Sequence, residues 1–222
     1  MKLEEGYLVA RAVMRVMRDS NRTDEIHLVE ELTGRSRYRR LLERQREHPD
    51  VALLLRERPE LDDAHIDFDD LRALSADTLG GRYVRHLDDN GLTASSQAVG
   101  TRFIEDDDMA YLMRRFRQTH DVWHALLGLG IEGHEEVIVH AFSWGQLRLP
   151  VSAMVIAGGT LKHFVLERRW RALRYALLEA YRIGRDARPL LPVYWERLWH
   201  QPIDIVRDRL GLQPCNPAWV HG

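Results

Sequence analysis

The sequence predicts an all-α fold, a single-domain multi-helix bundle spanning residues 1–222. Three observations predict it. Apolar residues recur three and four apart in most segments. No stretch sustains the apolar–polar alternation of a half-buried strand. Gly, Pro and Asp punctuate the chain where helices of ordinary length would end. In order, Glu4 to Arg18 sets Tyr7, Leu8, Ala10, Val13, Met14 and Met17 at helical spacing, with arginines opposite. Thr23-Asp24 opens a helix running through Leu32, which Gly34 ends, and Tyr38 to Glu47 forms a strongly charged helix. Pro49-Asp50 introduces Val51 to Arg58, Asp69-Asp70 starts another turn, and Leu79 to Leu87 closes at Asp88-Asp89-Asn90-Gly91. The carboxylates of Glu105 to Asp108 complement the positive end of a long helix, Met109 to Leu127. Gly128-Leu129-Gly130 interrupts it, and a second helix runs from Gly133 to Trp144. After a break at Gly145 to Pro150 come Val151 to Ala157 and a long amphipathic helix, Thr160 to Ile183, stopped by Gly184 and followed by Pro189. Short helices at Val193 to His200 and Ile203 to Leu210 complete the chain.

Composition removes several classes of function. A chain that is 45% hydrophobic and 30% charged is neither collagenous nor disordered. A formal net charge of −2 argues against a polycation that coats nucleic acid. Cys215, the single cysteine, has no internal disulfide partner and is a poor start for a thiolate metal site. Met1 to Glu5 turns acidic at once, unlike a transit peptide, and no apolar signal core follows. The most apolar stretch, Val137 to Gly159, is broken by His140, Gln146, Arg148 and Pro150, so no membrane span is expected. The expected location is the cytoplasm, at most peripheral to the inner face of a membrane. Histidine stands out: 11 residues, about twice average usage, of the commonest metal-binding side chain.

Chemistry concentrates in His120-Asp121-Val122-Trp123-His124. Histidines four apart differ by about 40° around a helix, so both imidazoles leave one face and can share a metal ion. Asp121, at the edge of that face, is either a third ligand or a carboxylate that activates water or orients an imidazole. A further ligand must come from elsewhere. On an unbroken helix Glu136 would lie about 18 Å from His124 along the axis, but a reversal at Gly128 to Gly130 returns it to the histidine pair. Glu136 is the favoured residue, with His134, Glu135 and His140 as alternatives. A hydrogen-bonded or surface histidine pair is the competing explanation. His27, His48, His65, His86, His163, His200 and His221, each isolated in sequence, read as incidental.

The run His120-Asp121-x-x-His124, eleven intervening residues, then Glu136 resembles the signature of the Coq-four family of ubiquinone (coenzyme Q) biosynthesis proteins. Tyr111 to Thr119 resembles the segment before that signature, as do Trp123, Leu126, Leu127 and Gly128 around it and Thr78-Leu79-Gly80 with Tyr83 upstream. Gly184, Pro189-Leu190, Trp195-Glu196 and Ile205-Val206-Arg207 resemble the family's closing segment, so the likeness covers about residues 25 to 212. The match is loose over Tyr38 to Pro59, and an organelle transit segment is not seen. The resemblance implies a divalent metal, zinc, held by His120, Asp121, His124 and Glu136. It also implies binding of a prenylated aromatic or quinone lipid, and oxidative decarboxylation at ring carbon one of a polyprenylated hydroxybenzoate. Expected partners are other ubiquinone biosynthesis proteins, the membrane surface and a second copy in a homodimer, with no nucleic acid.

Ligand chemistry admits iron, manganese or cobalt as well as zinc. Asp121 or Glu136 is the expected proton acceptor. Apolar residues just past Glu136 (Val137, Phe142, Met154, with Phe164, Val165 and Trp170 beyond) and His140 are candidates for the lipid, although apolar residues at helical spacing more often form core. Arg114, Arg115 and Arg117 could meet headgroup phosphates or a substrate carboxylate. Two other functions compete. One is a non-catalytic lipid-binding scaffold that organises a ubiquinone biosynthetic complex, in which a metal only staples the helices. The other is a helical phosphohydrolase in which His86 and Asp88 supplement His120-Asp121.

Overall fold

The computed structural model describes residues 3–19, 22–94, 101–162 and 170–220. Every regular segment among them is helical, and Thr78 with Pro202 forms an isolated antiparallel bridge. The helices are α1 (Leu3–Arg18), α2 (Thr23–Gln45), α3 (Pro49–Glu57), α4 (Phe68–Ala73), α5 (Leu79–Asn90), α6 (Asp107–Leu127), α7 (Gly133–Leu147), α8 (Pro150–Lys162), α9 (Trp170–Asp186), α10 (Ile203–Leu210) and α11 (Pro217–Val220). His163, Phe164, Val165 and His221 lie outside the described residues, as does the side chain of Trp170. No helix among the described residues is long and apolar enough to cross a membrane.

Helix ends follow local chemistry. Asp106 caps α6 by accepting from the Met109 amide at 2.8 Å, and Thr78 caps α5 through the Gly81 amide at 3.1 Å. Gly91, Gly128 and Gly211 terminate α5, α6 and α10 in the left-handed region, where a Cβ would be strained. Asp108, in the first turn of α6, also bridges Arg46 and Arg58.

Glycine position explains three differences from the expected helices. Gly34 does not end a helix: α2 runs straight through it, with Tyr38 buried one turn on and bonded to Glu30 at 2.7 Å. Gly145 and Gly184 likewise lie inside α7 and α9. A Cβ on Gly145 would stand 2.6 Å from the Tyr181 carbonyl, and one on Gly184 2.2 Å from that of Phe142, so the two glycines let these backbones touch. Packing gains then outweigh a glycine cost of about 1 kcal/mol. Elsewhere, Val193 to His200 folds into a single 3-10 turn, Trp195–Arg197, in place of a helix. The expected stripe on α1 is rotated as well, since Ala12, Val9 and Val13 face the core while Tyr7 and Met14 are exposed.

One core joins the elements. α7 packs most extensively against α9 and α8, α1 lies on α2, and α2 and α5 flank α6. Two buried arginines fasten α6 at its middle. Arg115 makes a bidentate pair with Glu196 (2.6 and 2.9 Å) and reaches the carbonyls of Pro59 and Val193. Arg117 pairs with Glu30 at 2.8 Å and Glu31 at 3.2 Å on α2. These bonds hold the last two turns of α6 in register with its neighbours.

A candidate metal centre between α6 and α7

His120 and His124 project from the C-terminal half of α6, one turn apart, with their Nε2 atoms 3.2 Å from each other. After the left-handed Gly128, the chain turns through Gly130, whose amide donates to Glu135 at 2.8 Å, and α7 begins at Gly133. The reversal places Glu136, in the first turn of α7, against the pair. Its carboxylate oxygens lie 3.5 Å from His120 Nε2 and 3.5 Å from His124 Nε2. The three ligand atoms all fall within 4.8 Å of one another, the one such group among the described residues.

The surroundings orient these atoms. His124 Nδ1 lies 2.7 Å from the Gly130 carbonyl. A carbonyl can only accept, so Nδ1 carries the proton and Nε2 keeps its lone pair for a metal. Behind the pair, Trp123 meets Phe116 and Phe142 edge-on at 5.4 and 5.5 Å, locking α6 against α7. His124 is fully buried, whereas the side chains of His120 and Glu136 are 17% and 36% exposed, so the centre opens to solvent on one side.

Charge is balanced within the group. Burial alone would raise the Glu136 carboxyl, yet the field of His124, together with that of His120, holds it well below the usual carboxylate range. Burial likewise opposes a proton on His124, but Glu136, Asp121 and the Gly130 carbonyl together raise its pKa. Asp121 is buried with its carboxyl pushed up by burial, against the pull of His120 and His124. It stands apart from the three converging ligand atoms.

Other expected residues are distributed differently. His140 is buried beside the centre, with its ring 5.4 Å from that of His120 and its Nδ1 3.3 Å from Ser152 Oγ. Val137 and Phe142 are core residues, and Met154 packs half-buried against the same core. Arg117, expected to face an anionic ligand, is enclosed by Glu30 and Glu31, and Arg114 reaches Glu60 at 3.4 Å. Those carboxylates already neutralise the arginines. Two histidines that look incidental in sequence stand near the centre. His86 on α5 stacks on His124 with centroids 5.2 Å apart and planes at 24°. Buried His27 on α2 lies close enough for its charge to couple to His120. Neither belongs to a motif, since only packing of α2 and α5 onto α6 brings them in. Asp88 does not follow His86. It is solvent-exposed and bonded to Arg72 at 2.8 and 2.9 Å, which removes the second doublet a phosphohydrolase site would need.

The family match described as "Coenzyme Q (ubiquinone) biosynthesis protein Coq4" extends over residues 1–216. This chain belongs to the Coq4 family. It is 31% identical over 207 residues to the mitochondrial ubiquinone biosynthesis protein COQ4 homolog of Xenopus tropicalis, covering 93% of this chain and 73% of that one. The Homo sapiens homolog is 30% identical over 221 residues, covering 99% and 82%. That of Drosophila ananassae is 33% identical over 198 residues, covering 89% and 74%. A crystal structure from Nostoc punctiforme has the same fold, with a TM-score of 0.73 at 24% identity over 93% of this chain and 97% of that one. As a Coq4 family member, the chain is a ubiquinone biosynthesis protein with an all-helical fold.

Proposed function

We propose that this Coq4 family protein is a metal-dependent enzyme that replaces the ring carboxylate of a polyprenylated hydroxybenzoate by hydroxyl. The observation that carries the proposal is the convergence of His120, His124 and Glu136 on one point, with His120 and Glu136 open to solvent. Two imidazoles and a carboxylate suit zinc, iron, manganese or cobalt, and fit a catalytic shell of three protein ligands with a position left for substrate or water. A scaffold that used metal only as a staple would be served by a closed shell.

A bound divalent ion would supply Lewis-acid polarisation of the substrate oxygen. The chain's own groups do the rest. The Gly130 carbonyl fixes the tautomer of His124. Glu136 would supply negative charge to offset a divalent ion held with His120 and His124. Asp121, whose carboxyl is raised by burial, is assigned the role of proton acceptor. Exchange of carboxylate for hydroxyl breaks the ring–carboxyl bond and releases carbon dioxide. Water supplies the hydroxyl oxygen, and dioxygen, the acceptor this reading assigns, takes the two electrons and two protons and leaves as hydrogen peroxide. The lipid tail, other pathway proteins and the membrane surface are the partners that go with such a substrate.

Metal analysis of the purified wild type and of His124→Ala, with product formation measured in a ubiquinone-deficient host, tests the reading. About one metal ion per chain is expected in the wild type, with metal and product both lost in the variant. Full metal content and product in His124→Ala would overturn it.

A further inference from the structure

His86 is unusual for a core residue. It is 8% exposed, and its Nε2 is shielded from solvent with no hydrogen-bond partner. An unsatisfied buried polar atom costs about 1–3 kcal/mol, a penalty that a phenylalanine with the same stacking on His124 would avoid. The position therefore carries an imidazole where packing alone favours a hydrocarbon ring. The location is specific too, because its stacking partner is the fully buried member of the metal group. His86 is not itself one of the converging ligands.

We infer that His86 is a substrate-binding residue whose imidazole hydrogen-bonds an oxygen of the aromatic acid held at the His120–His124–Glu136 centre. The centre is exposed at His120 and Glu136, while His124 and His86 form its buried side. His140 occupies the corresponding place beside His120, but Ser152 already partners its Nδ1, whereas His86, stacked on His124, has an unmet bond. The inference rests on the metal-centre reading above.

Cobalt(II)-loaded protein titrated with 4-hydroxybenzoate, followed by visible absorption, tests both and separates them. The wild type is expected to show a saturable spectral change. His86→Phe should load the same amount of cobalt and unfold at the same or a higher temperature, yet bind the acid at least ten-fold more weakly. His86→Gln, which keeps a donor near the Nε2 position, should recover part of that loss. Equal affinity in His86→Phe and wild type would overturn the role of His86 while leaving the centre intact. That role is equally overturned if weaker binding tracks lost cobalt or a lowered melting temperature and His86→Gln recovers nothing. A wild type that takes up no cobalt, or whose spectrum ignores the acid, would overturn the underlying metal reading and the inference with it.

Discussion

At the scale of single residues, the centre divides into parts that spacing encodes and parts that only packing creates. His120 and His124 share a helix face by arithmetic, and Glu136 returns because Gly128 permits a left-handed turn. Those three are legible in the sequence. His86 and His27 are not, because no periodicity links α5 or α2 to α6. Asp121 shows the limit of spacing in the other direction. Adjacent to His120 in sequence, it is rotated about 100° from it around the helix and lies outside the group of converging atoms. Asp121→Asn is therefore expected to keep near-stoichiometric metal, measured by elemental analysis, while product formation falls at least ten-fold. Loss of metal equal to that in His124→Ala would make Asp121 a ligand instead.

At the scale of elements, helix number and order are readable from apolar spacing and caps, whereas glycine misleads wherever its purpose is tertiary. Gly34, Gly145 and Gly184 carry the composition of terminators, and sequence alone does not distinguish a stop from a close approach. α7 and α9 depend on the second meaning. The carbonyl of Phe142 blocks a Cβ at Gly184, and backbone atoms cannot rotate aside. Gly184→Ala is expected to lower stability in denaturant melts by about 1–3 kcal/mol, the range for overpacked sites. Gly158 in α8 is the internal control, since nothing lies within 4 Å of its would-be Cβ. Gly158→Ala should stabilise by up to about 1 kcal/mol through helix propensity. Equal effects at both sites would mean that the α7–α9 approach leaves room for a methyl group. A shifted α7 would also move Glu136, so Gly184→Ala should weaken metal retention as well.

At the scale of the whole molecule, the histidine excess alters how the fold responds to acid. Burial holds His27 down to about 3, His86 to about 4 and His140 to about 3, so the native protein keeps these imidazoles neutral well below the ordinary value of 6.5. The unfolded chain takes up those protons as pH falls through about 6.5, and the native chain does so only near 3 to 4. Stability is thus fully present above 6.5 and is lost progressively on acidification between those limits, by about 1.4 kcal/mol per pH unit for each such group. His27 offers the cleanest test, because it sits on α2 outside the metal group. Burial and the Arg117 charge keep it neutral, and its Nδ1 is an unpartnered buried atom. Denaturant melts of metal-free wild type at pH 8 and pH 5 should show a loss of which His27 supplies about 2 kcal/mol. His27→Leu should remove that share and be the more acid-resistant protein. An unchanged pH 8 to pH 5 difference in the variant would show that His27 is protonated in the native fold, in conflict with its enclosure beside Arg117.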